Sequence, residues 1–101
     1  MRLVWSRRAT RDAEHAAEWI AKDRPEGALE WLDGLHAAVR RLEQFPFSGH
    51  VLPEIPLAAR REIPYGGYRV IYRLRPDAIE ILRVAHARRD LRPRDRRLIV
   101  D

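Results

Sequence analysis

The spacing of apolar positions divides the first half of the chain into a strand and two helices. Residues 2–5 alternate as a short strand, and Ser6 follows as an N-cap for a helix predicted over residues 7–22. Pro25 suits the first turn of a second helix, because its missing N–H would have no helical partner there. The apolar stripe of that second helix comprises Ala28, Leu32, Leu35, Val39 and Leu42. The pattern therefore predicts a helical hairpin that ends at Phe45-Pro46.

The proline and glycine positions in the second half of the chain indicate a loop followed by short strands. Residues 46–58 contain three prolines and Gly49, which indicates an irregular loop. We expect its apolar residues to pack down onto the domain; they are Phe47, Val51, Leu52 and Ile55. Three strands are then predicted over residues 59–63, 68–74 and 78–85, joined by short turn-forming stretches.

The order of these elements defines the fold class. A β-α-α-β-β-β order predicts an α+β domain with the helical hairpin packed on one face of a mostly antiparallel sheet. The sequence has no internal repeat and no low-complexity linker. We therefore expect residues 1–101 to form a single domain.

Charge is distributed unevenly along the chain. The net charge is +5, and Lys22 is the only basic residue that is not an arginine. Residues 1–11 carry four bases and no acid, residues 12–44 carry eight acids and four bases, and residues 45–101 carry seven acids and twelve bases. This predicts an acidic hairpin and a basic surface elsewhere, which implies an anionic partner. A GC-rich genome that favours arginine codons is the alternative explanation of the arginine excess.

Several classes of site and location are disfavoured by composition. Cysteine is absent, so the chain has no disulfide and no thiolate metal site. His15, His36 and His50 show no metal-ligand spacing, and we expect neither a metal nor another cofactor. No apolar run is long enough to span a membrane, and the apolar start of the chain is too short for a signal peptide. We expect a cytoplasmic protein without a membrane partner.

The chain contains a set of motifs that resemble those of the RelE/ParE superfamily of toxins and follow the same order along the sequence. They are Phe45-Pro46 with Gly49, Pro53-Glu54, Arg61-Glu62, Tyr-Arg-x-x-Tyr at residues 68–72, and Val-x-His-x-Arg-Arg-Asp at residues 84–90. The resemblance covers nearly the whole chain and is closer to ParE than to RelE. It implies a toxin of a type II toxin-antitoxin system that forms a hetero-oligomer with a cognate antitoxin. The superfamily divides between two targets, DNA gyrase and messenger RNA on the ribosome.

The RelE-like alternative implies a metal-independent endoribonuclease that cuts messenger RNA on the ribosome. Arg69 would stabilise the phosphate in the transition state, His86 would be an acid or base, and Glu54, or less favourably Glu62, would be the base. Each has a structural alternative: a salt bridge for Arg69, partial burial for His86, and pairing with a neighbouring arginine across the sheet for Glu62. Glu62 also stands where RelE has a basic residue, and residues 87–101 contain no aromatic side chain that could stack on a base.

The ParE-like alternative requires a binding surface and no active site. It is favoured by the hairpin and by the His86-x-Arg88-x-Asp90 element, and it implies that the toxin poisons DNA gyrase. Candidate target-binding or nucleic-acid-binding residues are Arg60, Arg61, Arg73, Arg88 and Arg89, followed by further arginines up to Arg97. Trp19 and Trp31 are candidates for binding a protein partner, and the alternative for both is a place in the core. An inactive relative that only binds the antitoxin is a third possibility. For either target, we expect Arg69→Ala to leave the fold largely intact while toxicity falls.

Overall fold

The computed structural model of the protein describes residues 1–54 and 59–89. Two helices and five strands occupy these ranges. In chain order they are β1 (Arg2–Trp5), α1 (Arg7–Asp23), α2 (Pro25–Arg40) with a 3-10 turn (Arg41–Glu43), β2 (His50–Val51), β3 (Arg61–Tyr65), β4 (Tyr68–Leu74) and β5 (Ala78–His86). The predicted bounds of β1 and β4 are confirmed, and the other predicted elements differ from the observed ones by one to two residues at their ends or, for the second helix, by a 3-10 last turn.

The sheet has the strand order β1-β5-β4-β3-β2. β1 runs parallel to β5, whereas the other neighbouring strands are antiparallel. The α+β class and the mostly antiparallel sheet are therefore confirmed. Two features were not predicted. β2 lies inside the predicted loop, where two residues are too few to give an alternating pattern, and β1 pairs with the last strand although the two are far apart in sequence.

The ends of the hairpin helices follow from their local sequence. The Ser6 hydroxyl accepts a hydrogen bond from the backbone N–H of Ala9 (3.0 Å) and donates one to the Leu82 carbonyl (3.0 Å). Ser6 therefore caps α1 and also fixes the start of that helix against β5. Pro25 begins α2 as predicted, with no loss of a helical hydrogen bond.

Apolar side chains are buried on both faces of the central strands. The larger core lies between the helices and the sheet, and it includes Leu35 and Val39 of α2 with Tyr72, Ile79 and Ile81 of the sheet. A smaller cluster lies on the opposite face and consists of Leu52, Ile71, Leu82 and Ala85. Both helices thus cover one face, and the loop after β2 contributes to the other.

The predicted loop of residues 46–58 packs onto the domain only in part. Leu52 is fully buried, as predicted. Phe47 and Val51 are 68% and 45% exposed, so the prediction that they pack down was wrong. Ile55 lies outside the described residues. Among residues 1–54 and 59–89, no helix is long and apolar enough to cross a membrane.

Candidate functional site

Arg69 of β4 lies in a nearly buried cluster with two carboxylates. Its Nη1 and Nη2 donate to Glu54 (2.7 and 2.8 Å), and its Nε and Nη2 donate to Glu62 (2.8 and 2.9 Å). Nη1 also donates to the carbonyl oxygen of Arg89 (3.0 Å). The side chain of Arg69 is 9% exposed, and each glutamate side chain is 16% exposed. We call these three side chains the Arg69 cluster.

The hydrogen bonds of the Arg69 cluster use the whole donor capacity of the arginine. A guanidinium has five N–H groups, and the five bonds to Glu54, Glu62 and Arg89 occupy all of them. The hydrogen bonds to Glu54 and then Glu62 raise the pKa of Arg69 above its usual value, although burial acts in the opposite direction. The cluster combines one cation with two anions, so its formal charge is negative.

Three separate segments meet at Arg69. Pro64 is the residue of β3 opposite Arg69, and Glu62 lies two residues along β3 from Pro64, so Glu62 and Arg69 form a diagonal pair across the sheet. Glu54 comes from the loop after β2, and Arg89 follows β5. The predicted alternative for Glu62, pairing with a neighbouring arginine, describes this geometry. The cluster therefore fastens the loop and the end of β5 onto β4.

His86 lies on the opposite face of the sheet from Arg69. Tyr68 pairs with His86 and Arg69 pairs with Ala85, and successive residues of a strand project to opposite faces. His86 is exposed, and its ring contacts the ring of Tyr68 with 5.6 Å between centroids. Tyr68 in turn packs edge-on against Trp31 of α2, on the helix-covered face. The two residues that would share a ribonuclease active site are thus separated by the sheet.

Tyr72, the second tyrosine of the Tyr-Arg-x-x-Tyr motif, holds the loop that carries Phe47. Its hydroxyl is buried, donates to the Pro46 carbonyl (2.9 Å) and accepts from the Gly49 N–H (2.9 Å). Burial raises the pKa of Tyr72, so the phenol stays protonated and can donate. A Cβ at position 49 would lie 2.5 Å from that hydroxyl and 2.7 Å from the Glu62 carbonyl oxygen. The motifs around Pro46, Gly49 and Tyr72 are therefore parts of one contact.

The other predicted basic residues occupy different environments. Arg60 is buried, whereas Arg88 and Arg89 are exposed at the end of β5. Arg73 pairs with Glu80 on the open face of the sheet (2.7 Å). Arg61 donates to the Gly49 carbonyl (2.8 Å), and its guanidinium carbon lies 5.2 Å from the centre of the Phe47 ring. The five arginines do not form one patch. Asp90 and the arginines after it lie outside the described residues.

The two candidate partner-binding tryptophans differ in exposure. Trp31 is half-buried against Tyr65 and Tyr68, and its carbonyl accepts a hydrogen bond from the Tyr65 hydroxyl (2.8 Å). Trp19 is 69% exposed on α1, with the Lys22 ammonium 5.0 Å from its ring centre. Of the two, Trp19 is the side chain that a partner can reach.

Two features of the site were missed by sequence reasoning. Asp12 of α1 accepts hydrogen bonds from the Arg83 side chain (2.8 Å) and from the Val84 N–H (2.9 Å), and this joins the hairpin to β5. No local pattern links residues so far apart. An apolar groove beside Phe45 was also missed, since its walls come from α2 and β3. In the part of the chain that the structure describes, no group of three or more His, Asp or Glu side chains could hold a metal ion.

A helical hairpin on one face of a five-stranded sheet, with the Tyr-Arg-x-x-Tyr motif on the central β4, defines a toxin of the RelE/ParE superfamily. Residues 3–91 match the family described as ParE toxin of the type II toxin-antitoxin system parDE, and the chain belongs to that family.

A solved structure supports the same assignment. A chain of the chromosomal ParDE TA system from P. aeruginosa is 26% identical in sequence and superposes with a TM-score of 0.73. The alignment covers 85% of this chain and 95% of that chain. No curated protein matches the sequence. Membership of the ParE family makes the protein a toxin of a type II toxin-antitoxin system, with a cognate antitoxin as its partner.

Proposed function

We propose that this toxin inhibits growth by binding and poisoning DNA gyrase, and that it does not cut RNA. The observation that carries the proposal is the saturation of Arg69 by Glu54, Glu62 and the Arg89 carbonyl. The RNA-cutting alternative requires Arg69 to donate to the phosphate as negative charge develops there. Arg69 has no donor left for that purpose, and breaking its bonds would leave two largely buried carboxylates unpaired.

The position of His86 is a second argument for the proposal. General acid-base catalysis needs the imidazole within hydrogen-bond reach of the reacting group, directly or through one water. His86 projects to the face opposite Arg69, so one phosphate cannot contact both side chains. Both carboxylate oxygens of Glu54, the candidate base, already accept a hydrogen bond from Arg69. Binding a protein target requires none of these groups to be free, since it depends on surface complementarity.

Gyrase poisoning and messenger RNA cleavage differ in whether DNA synthesis or protein synthesis stops first. We would express the toxin from a tightly repressed promoter without antitoxin and follow labelled thymidine and labelled amino acid incorporation over the first minutes. The proposal expects DNA synthesis to fall while translation continues. In parallel, purified toxin should inhibit supercoiling of relaxed plasmid by purified gyrase, and addition of the cognate antitoxin should relieve the inhibition. The repressed culture and toxin mixed with excess antitoxin are the controls.

Each other outcome identifies an alternative. Early loss of amino acid incorporation, with intact gyrase activity, would reject the proposal in favour of messenger RNA cleavage. Growth without arrest, at a toxin level confirmed by immunoblot, would indicate a relative that only binds the antitoxin.

A further inference from the structure

An apolar groove lies between the end of α2 and the β3 edge of the sheet. Its volume is about 460 Å³, and Ala38 and Leu42 on one side face Ile63 and Pro64 on the other, with Phe45 at its border. The groove is close to the Arg69 cluster, because Pro64 is the residue opposite Arg69, but Ala38, Leu42 and Ile63 lie on the helix-covered side of the sheet. It is large enough to take several apolar side chains of a partner.

Two aromatic side chains next to the groove are exposed. Phe45 is 58% exposed and lines the groove, and Phe47 is 68% exposed two residues further on. Tyr72 fixes the backbone on either side of Phe47 through Pro46 and Gly49. A large aromatic ring held on a fixed backbone loses little conformational entropy on binding, which makes Phe47 a good anchor for a protein partner.

The border of the groove is basic. Arg41 lines the groove and is exposed, and the Arg61 guanidinium lies over the Phe47 ring. Glu43 on the 3-10 turn is the acidic side chain of this stretch. Two cations against one anion favour a partner segment that carries acidic residues beside its apolar ones.

The free part of the β3 edge argues against a partner strand. Gly66-Gly67 form a two-residue turn that places Tyr65 opposite Tyr68. Every second residue of β3, counted from Tyr65, therefore hydrogen-bonds to β4, and the residues between them direct their backbone N–H and C=O groups away from β4. The outward backbone groups of Glu62 face His50 of β2, its partner in the sheet. Pro64 is the next residue whose backbone faces away from β4. Proline has no N–H to donate, so an added strand would lose a ladder hydrogen bond at this position. A helix needs no edge hydrogen bonds and can lay apolar side chains into the groove.

We propose that this groove, with Phe47 and its basic border, binds an acidic amphipathic helix of the gyrase that the toxin inhibits. The inference rests on the proposed function. The other exposed apolar side chains of the hairpin, Trp19 and Leu29, lie near the turn between the helices, on a surface apart from the groove at the end of α2. That surface suits a different partner.

Phe47→Asp in the full-length toxin tests the groove directly. Leu29→Asp is the matched control, because Leu29 is 67% exposed and the substitution introduces the same charge on the other surface. Each variant would be titrated against a fixed amount of purified gyrase in the plasmid supercoiling assay. We expect Phe47→Asp to raise the concentration for half-inhibition by about 10-fold or more, the usual effect of losing an interface anchor. Leu29→Asp should match the wild type.

Charge reversal provides a second variant that leaves the apolar anchors in place. Arg41→Glu adds an acid at the groove border, and we expect inhibition to weaken by roughly 3-fold to 10-fold, with a smaller difference at higher salt. Circular dichroism and a thermal melt of each variant would establish that all of them are folded. Binding of the cognate antitoxin would be measured by titration calorimetry on the same samples.

The outcomes separate this inference from the proposed function. If wild-type toxin does not inhibit gyrase, both are rejected. If wild type inhibits and folded Phe47→Asp inhibits equally well, the groove is not the gyrase-binding site, and only this inference is rejected. Loss of antitoxin binding by Phe47→Asp, with gyrase inhibition unchanged, would assign the groove to the antitoxin instead. Loss of plasmid-DNA binding rather than gyrase binding would assign it to DNA.

Discussion

The Arg69 cluster and the groove beside Phe47 are neighbouring regions that differ in how far their side chains already make contacts within the domain. At Arg69 every N–H of the guanidinium is bonded and the side chain is almost buried. At the groove, Phe45 and Phe47 are mostly exposed and Arg41 faces solvent. The first region has its interactions within the domain, whereas the second has apolar and cationic surface left for a partner.

This difference separates the residues whose motif identifies the family from the exposed residues that can contact a partner. The Tyr-Arg-x-x-Tyr motif made the resemblance specific, yet Tyr72 and Arg69 both bind parts of their own chain. Arg41 and Phe47, which are exposed at the groove, belong to none of those motifs. A motif made of buried ion pairs and hydroxyl contacts therefore indicates the fold more directly than it indicates the chemistry.

The largest effect should come from removing Arg69. Arg69→Ala would leave Glu54 and Glu62 close together, largely buried and without their cation. We expect it to lower the free energy of unfolding by about 3–5 kcal/mol, the usual cost of breaking a buried ion pair. Urea denaturation would measure the loss. This replaces the expectation from sequence that Arg69→Ala leaves the fold intact.

A neutral version of the same region is the control for that prediction. The triple variant Glu54→Gln, Glu62→Gln and Arg69→Met removes all three charges at similar volume and should recover most of the lost stability. If Arg69→Ala alone stays within about 1 kcal/mol of the wild type, the cluster does not stabilise the fold in the way we infer. Arg69 would then again be a candidate for contact with a target.

An intermediate effect is expected from Tyr72→Phe. The Tyr72 hydroxyl joins the Pro46 carbonyl to the Gly49 N–H in a buried position, so its loss leaves a buried donor without a partner. We expect a decrease of roughly 1–3 kcal/mol in the free energy of unfolding. Thermal melts and urea titrations of Tyr72→Phe beside Tyr68→Phe, a matched tyrosine of the same strand, would measure it.

Tyr72→Phe also connects the two regions. Because Pro46 and Gly49 flank Phe47, loosening their contact should weaken gyrase inhibition in a variant that is still folded at the assay temperature. A variant that is destabilised but inhibits like the wild type would show that Phe47 needs no fixed backbone. A variant of unchanged stability would contradict the hydrogen-bond argument itself.

Local patterns were sufficient for most of the fold but not for the contacts between distant segments. Ser6, Pro25 and the apolar stripe of α2 determine helix ends and a buried face through interactions within a few residues. The parallel pairing of β1 with β5 and the Asp12–Arg83 pair join residues about seventy positions apart, and nothing in the local sequence selects them. Hence α1, α2 and β4 could be predicted, whereas the arrangement around β5 could not.

The same distinction applies to the candidate site. Glu62 and Arg69 lie on adjacent strands joined by a short turn, so their pairing was a reasonable alternative from sequence. Whether His86 and Arg69 share a face depends on the register of β4 against β5, and a shift of one residue would have placed them together. The groove could not be predicted, because it exists only once α2 lies beside β3.

The smallest effect is expected from His86→Gln, and this variant is the sharpest comparison of the two mechanisms. His86 is exposed, its ring packs against the ring of Tyr68, and its Nδ1 accepts a long hydrogen bond from the Arg88 N–H (3.4 Å). Its replacement by a polar side chain should change the free energy of unfolding by less than about 0.5 kcal/mol. Gyrase inhibition should stay at the wild-type level in the supercoiling assay. A ribonuclease that used the imidazole as acid or base would instead lose on the order of 100-fold or more in rate. A folded His86→Gln variant that no longer arrests growth would therefore show that the exposed imidazole acts on a target, and it would count against a toxin that works through its groove alone.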